Sequence, residues 1–162
     1  MTDRIQSLNA VGILVDDYDE AITYFTEVLH FTLIANEKHK NGLRWVLLHP
    51  PGLSSTGIML NLARSKMDKI AVGNQAGDQV LFVLQTNDFW RDYEFMQSQG
   101  VEFIETPRDE DYGTVAIFED LYGNKWDLLQ VKDAWSKARL LRLDTNSQYP
   151  ICPDWVKLHK SK

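Results

Sequence analysis

The sequence predicts an α+β fold made of two similar βαβββ modules, followed by a C-terminal extension. Three observations carry that expectation. Short apolar runs of strand length alternate with stretches whose apolar residues recur every three or four positions. The order strand, helix, strand, strand, strand occurs twice. The second copy keeps a near-constant distance from the first: Asp88 stands 71 residues after Asp17, and Val101 stands 70 after Phe31. With 162 residues, 44% of them hydrophobic, the chain is long enough for one domain with its own core.

The repeated domain is expected over residues 7–130, its first module over 7–63. Leu8 to Val15 (LNAVGILV) is a β-prone apolar run that stops at Asp16-Asp17, the pattern of a buried strand. Ala21, Ile22, Phe25, Val28 and Leu29 then recur at spacings of three and four, so Tyr18 to Leu29 carries one apolar helical face. Asp17 is the expected N-cap, with Glu20 three residues on completing an Asp version of the capping box. Phe31 to Lys38 and Leu43 to His49 form a hairpin pattern turning at Asn41-Gly42, a residue pair that accepts positive φ. Pro50-Pro51-Gly52 stops the second of these strands, and Gly57 to Leu62 is the fourth. Arg64 to Asp78 lacks sustained periodicity and is assigned as a connector.

The second module is expected over 78–130. Gln79 to Leu84 is its first strand, and Asn87 or Asp88 caps a helix that places Phe89, Tyr93 and Met96 on one face. Gly100 marks the end of that helix. Val101 to Thr106, Thr114 to Phe118 and Lys125 to Leu129 are its remaining strands. Residues 131–162 have no counterpart in the repeat. There, Asp133 to Leu143 has the pattern of an amphipathic helix and Tyr149 to Trp155 that of an ordered coil.

A net charge of −6 and a pI near 5.1 are the opposite of a phosphate-binding footprint, so no nucleic-acid partner is expected. No stretch approaches the roughly 20 apolar residues of a membrane helix, and Met1 to Gln6 lacks a basic region followed by an apolar run. The expectation is a cytoplasmic protein with a small-molecule partner. Cys152 is the sole cysteine, cannot form an internal disulfide, and is read as an inert thiol.

Val15-Asp16-Asp17 through Phe25-Thr26-Glu27-Val28-Leu29 resembles the strand-to-helix segment of the vicinal oxygen chelate superfamily. Gly113 to Leu128 (GTVAIFEDLYGNKWDL) resembles the closing hairpin of glyoxalase and bleomycin-resistance domains, including their dioxygenase relatives. The resemblance covers about Leu8 to Gln130 and implies two modules closing around a small-molecule cleft. In metal-dependent members, His or Gln and Glu side chains from the first and last strands of each half hold a divalent ion that polarises a substrate oxygen. Matched residue by residue, those positions fall on Ala10, Asn61, Leu81 and Asp127, or on Gln79 in place of Leu81 if the match shifts by one pleat repeat. Ala10 and Leu81 have no donor, so no cofactor is expected. The alternative is magnesium or manganese on Asn61, Gln79 and Asp127, since those ions prefer oxygen ligands.

Strand alternation places the other candidates. If Asp127 faces the cleft, then Lys125 and Leu129, Ala10, Gly12 and Leu14, Met59, Asn61 and Ala63, and Gln79, Leu81 and Val83 share the inner surface. Asp127 and Asn61 are the candidate catalytic residues. Gln79, Arg44, Trp45, Met59 and Leu81 are candidate ligand-binding residues, Arg44 for an anionic group and Trp45 for stacking. His30 is assigned as a helix C-terminal cap, His39 and His159 as exposed, and His49 as the end of a strand before two prolines, with a place in the cleft as the minor alternative. The acidic run Glu105, Asp109, Glu110 and Asp111 is read as a charged turn, with Tyr112 beside it. Three functional readings follow. The first is a binder of a small, largely apolar molecule, possible also as a metal-independent enzyme. The second is a divalent-metal lyase or isomerase of the lactoylglutathione lyase type. The third is a bleomycin-type drug-binding resistance protein, expected as a homodimer. The sequence leaves catalysis itself open.

Overall fold

The structure, a computed structural model, describes residues 6–52 and 56–132. The expected helix from Asp133 to Leu143, the coil from Tyr149 to Trp155, Cys152 and His159 lie outside the described residues. In the first module, β1 (Ala10–Val15), α1 (Tyr18–Thr23), β2 (Thr32–Lys38), β3 (Arg44–His49) and β4 (Gly57–Leu62) form a sheet of order β1-β4-β3-β2, with β1 parallel to β4 and the other pairs antiparallel. After a short helix, α2 (Lys66–Ala71), the second module repeats the topology. Its elements are β5 (Phe82–Gln85), α3 (Phe89–Ser98), β6 (Arg108–Glu110), β7 (Gly113–Glu119) and β8 (Lys125–Val131), in order β5-β8-β7-β6. The doubled α+β architecture read from the sequence is the one observed. No helix among the described residues is long and apolar enough to cross a membrane.

Caps start the helices where the sequence placed them. Asp17 accepts the Glu20 N–H at 2.8 Å and Asp88 accepts the Arg91 N–H at 3.2 Å, each satisfying a first-turn donor with no intrahelical acceptor; the return half of the expected Asp17–Glu20 box is replaced, the Asp17 N–H going to the Tyr122 hydroxyl at 3.4 Å. The expected single helix to Leu29 differs in its last turn, where Tyr24–Val28 widens to π spacing. His30 then ends it with φ 57°, the left-handed conformation of a helix-terminal residue. Asn41 and Gly42, with φ 67° and 75°, turn the β2–β3 hairpin.

Three expectations are corrected. The connector contains α2, started by a reciprocal capping box between Ser65 and Asp68. The first strand of the second module begins at Phe82, because Gln79 is held in a turn by its N–H to the Ala76 carbonyl, 3.2 Å. The strand expected at Val101 to Thr106 is reduced to a single bridge, Phe103 to Phe118, and regular pairing resumes only at Arg108. There the Glu105 carboxylate takes the Ile117 N–H at 3.1 Å, standing in for a backbone acceptor just before Pro107, which has no N–H to give.

Pleating sorts each strand into two faces. Ile13, Val15, Val46, Leu48, Ile58, Leu60, Trp126 and Leu128 are buried on the helix side. The two halves meet through rings. Trp126 of β8 lies 6.0 Å from Phe25 of the π-spaced turn after α1, 6.3 Å from Phe31, 4.6 Å from Phe82 and 6.0 Å from Phe118, centroid to centroid. Trp126→Ala removes this shared ring and is expected to cost about 3–5 kcal/mol in urea unfolding. A loss below about 1 kcal/mol would mean that the halves are held together elsewhere.

Candidate functional site

On the first sheet, the face opposite the helices carries Gly12 and Leu14 of β1, Met59 and Asn61 of β4, and Trp45, Leu47 and His49 of β3. Asn61 fills the space over Gly12: a Cβ at residue 12 would stand 2.6 Å from its Nδ2. In the same way the His49 ring and Leu47 lie over Gly57, 2.5 and 2.9 Å from where a Cβ would be. His49 Nε2 is buried there with no hydrogen-bond partner among the described residues. Arg44 is on the other side. It follows the parity of buried Val46 and Leu48, its Nη1 binds Asp19 at 2.7 Å, its Nε donates to Asn36 at 2.9 Å, and its guanidinium lies 5.3 Å over the Tyr18 ring. The expectation that Arg44 walls the cleft is therefore corrected: it ties α1 to the hairpin.

On the second sheet, Asp127 stands between Ile117 of β7 and Val83 of β5, with Lys125 and Leu129 on the same face, and is buried. Tyr112, at the β6–β7 turn, lies within the fields of Arg108, Glu110 and Asp127. Burial pushes its phenol up, Arg108 opposes that, and the two carboxylates add to it. The acidic run is mostly committed. Arg108 pairs with Glu105 at 3.1 Å and with Glu110, and Asp109 pairs with Lys132 at 2.9 Å.

Register tests the metal pattern. Asn61 is the β4 partner of Leu14, and Asp127 is the β8 partner of Val83. Taking Asn61 and Asp127 as equivalent, Gly12 corresponds to Leu81 and Ala10 to Gln79, so neither register adds a His or a carboxylate. Gln79 is exposed in its turn ahead of β5, and Leu81 lines a slot of about 380 Å³ between the halves, beside Val11, Phe31, Phe82 and Trp126. Among the described residues, no three His, Cys, Asp or Glu side chains gather as a metal would need. One amide and one carboxylate do not fit the divalent ion of the metal-dependent pattern.

A larger cavity, about 1100 Å³, opens on the helix side between the end of α1 and α3. His30 stacks on Phe95 there, centroids 4.4 Å apart, and Asp92 accepts from Arg91 Nε at 2.8 Å and from the Thr86 hydroxyl. Sequence reasoning missed this grouping, apart from placing His30 at a helix end. Burial raises the Asp92 carboxyl, but hydrogen bonds from Arg91 and Thr86, with the charges of Arg91 and His30, outweigh it and hold the group below its ordinary value. A carboxyl lowered on folding stabilises above its unfolded pKa of about 4, and that contribution is lost as pH falls through the folded value. Asp92→Asn is expected to cost about 1–2 kcal/mol near neutral pH and to flatten the acid side of the stability curve. Superimposable pH curves for both proteins would rule that contribution out.

The family model for the Glyoxalase/Bleomycin resistance protein/Dioxygenase superfamily matches residues 7–128. An uncharacterized protein of Shewanella frigidimarina is 46% identical over 129 residues, spanning 79% of this chain and 96% of that protein. Among solved structures, UcmS2 is 25% identical with a TM-score of 0.66, the alignment covering 78% of this chain and 98% of that one. TnmS3, an antibiotic binding protein from Streptomyces sp. CB03234, is 26% identical with a TM-score of 0.64, covering 79% and 98%.

Proposed function

The chain belongs to the Glyoxalase/Bleomycin resistance protein/Dioxygenase superfamily, and from that premise we propose that it binds a small, largely apolar molecule, antibiotic-like in kind, against the concave face of its sheets and without a metal ion. The observation that carries this reading is the apolar surface left open on the face away from the helices. Val83 is 46% and Trp45 43% exposed there, with Leu14, Met59, Ile117 and Leu129 half-buried on the same faces. Covering such side chains contributes about 25 cal/mol per Å² of apolar area removed from water, which suits an apolar ligand better than a sugar or a phosphate. The antibiotic-binding relative at 26% identity supports the class of ligand. Asn61, an amide that both donates and accepts, and Asp127, a carboxylate that accepts, are the groups that orient the ligand's few polar atoms. In this reading the protein acts in the cytoplasm as a homodimer, the second copy closing the open side of the cleft.

The lyase or isomerase reading requires an ion on Asn61, Gln79 and Asp127, a set weakened by the turn that holds Gln79 off β5. Equilibrium dialysis with a panel of apolar antibiotics tests the choice. Val83→Lys puts an ammonium on the open face and is expected to weaken the retained compound at least about tenfold while changing stability by no more than about 0.5 kcal/mol. Prior dialysis against a chelator is expected to leave wild-type affinity unchanged. Loss of binding after chelation would overturn the metal-free reading, and wild-type affinity in Val83→Lys would move the ligand off this face.

A further inference from the structure

The cavity between the end of α1 and α3 lies on the helix side of the sheets, and its polar groups are unequally spent. Gln130 accepts the Phe89 N–H on its Oε1 at 2.7 Å, and Asn87 accepts from Arg91 Nη2 on its Oδ1 at 3.1 Å. Each amide therefore commits its carbonyl end to the protein, and its NH2 end makes no hydrogen bond among the described residues. Arg91 uses Nε and Nη2 on Asp92, at 2.8 and 3.1 Å, while its Nη1 makes no hydrogen bond among the described residues. Asp92 is the one carboxylate on the wall among the described residues, and both its oxygens are taken, by Arg91 and by Thr86. Three donors that the fold leaves over among the described residues, the NH2 ends of Asn87 and Gln130 and Arg91 Nη1, remain on this wall, beside the Gln85 amide, which offers both a donor and an acceptor. Beside these donors lies a flat aromatic surface, the His30 imidazole stacked on Phe95 at 4.4 Å and 30°, with Leu84 and Leu128 also on the wall.

From this juxtaposition we propose that the cavity binds a planar aromatic carboxylate, its ring against the His30–Phe95 stack and its carboxylate on the free NH2 ends of Asn87 and Gln130 and on Arg91 Nη1. A carboxylate meets all three donors with charge-assisted hydrogen bonds, whereas a neutral hydrocarbon leaves them without acceptors. At about 1100 Å³ the space is at the upper end of small-molecule cavities, so a fused-ring acid fits. This site is independent of the ligand proposed for the concave face, and either proposal can fail alone.

The probes are 2-naphthoate and the neutral 2-naphthylmethanol, titrated calorimetrically into the full chain near neutral pH, with amide chemical-shift mapping of the bound acid. The acid is expected to bind at least about tenfold tighter than the alcohol, with shifts gathered at His30, Asn87, Phe95 and Gln130. Asn87→Asp and Gln130→Glu each keep the acceptor oxygen that Arg91 or Phe89 uses and replace the free NH2 by a carboxylate oxygen. Each is expected to weaken naphthoate by about a further factor of ten or more. Equal affinity for acid and alcohol, shifts gathered instead at Val83 and Leu129, or wild-type naphthoate affinity in both variants overturns the proposal.

Discussion

The carboxylate of Asp120 sits buried at the β7–β8 turn, and the joint between the two halves depends on it. It accepts the N–H groups of Tyr122 and Asn124 at 3.0 Å each, the Asn124 side-chain amide at 2.9 Å and the Trp126 indole N–H at 3.0 Å. A buried charge is tolerated only when its lone pairs are met in this way. Because one of the donors is the indole, the carboxylate fixes the ring on which Phe25 and Phe31 of the first half and Phe82 and Phe118 of the second converge. The same turn reaches further. The Tyr122 hydroxyl donates to the Asp17 carbonyl at 3.2 Å, beside the cap that begins α1, and burial with the Asp120 charge pushes the phenol of Tyr24 upward.

The chemistry available to each face follows from the pleat. Most helix-side positions are consumed by the core, so contacts with a ligand on the concave face come from the alternate residues of β1, β3, β4, β5 and β8. The face left over is apolar with few polar groups. The polar groups that the fold uses most heavily are elsewhere: Arg44 and Asp19 brace a helix against a hairpin, and Glu105 replaces one rung of a ladder. Charged residues that draw the eye in a sequence are in this protein mostly structural.

The repeat, its helix caps and most strands were legible because each rests on a local pattern, such as Asp17 with Glu20 or Asn41 with Gly42. Other features needed tertiary information. Arg44, Val46 and Leu48 alternate with Trp45, Leu47 and His49, and both sets are rich in apolar residues, so alternation alone does not say which one faces the helices. The six residues of α2 turn Met67 and Ile70 outward, 72% and 60% exposed, so no core-facing stripe announces the helix, although its Ser65–Asp68 box is present in the chain. Val101 to Thr106 has strand propensity, but pairing there is decided by a side chain, Glu105, that competes for the partner's N–H. Register, which equates Gly12 with Leu81, depends on strand pairs separated by more than 40 residues.

Gln75 of the connector accepts the Leu14 N–H at 2.5 Å and donates to the Gly12 carbonyl at 3.4 Å, occupying the edge of β1 that faces away from β4. The first module's ladder thus ends at β1, and among the described residues the two four-stranded sheets share no pairing. A seam of rings behaves differently from a seam of peptide hydrogen bonds. Peptide pairing admits only discrete registers, whereas stacked aromatic side chains slide and tilt through a continuum of offsets at modest packing cost. The angle between the halves, and with it the width of the groove they enclose, is therefore open to adjustment by substitutions at the seam while every strand keeps its neighbours.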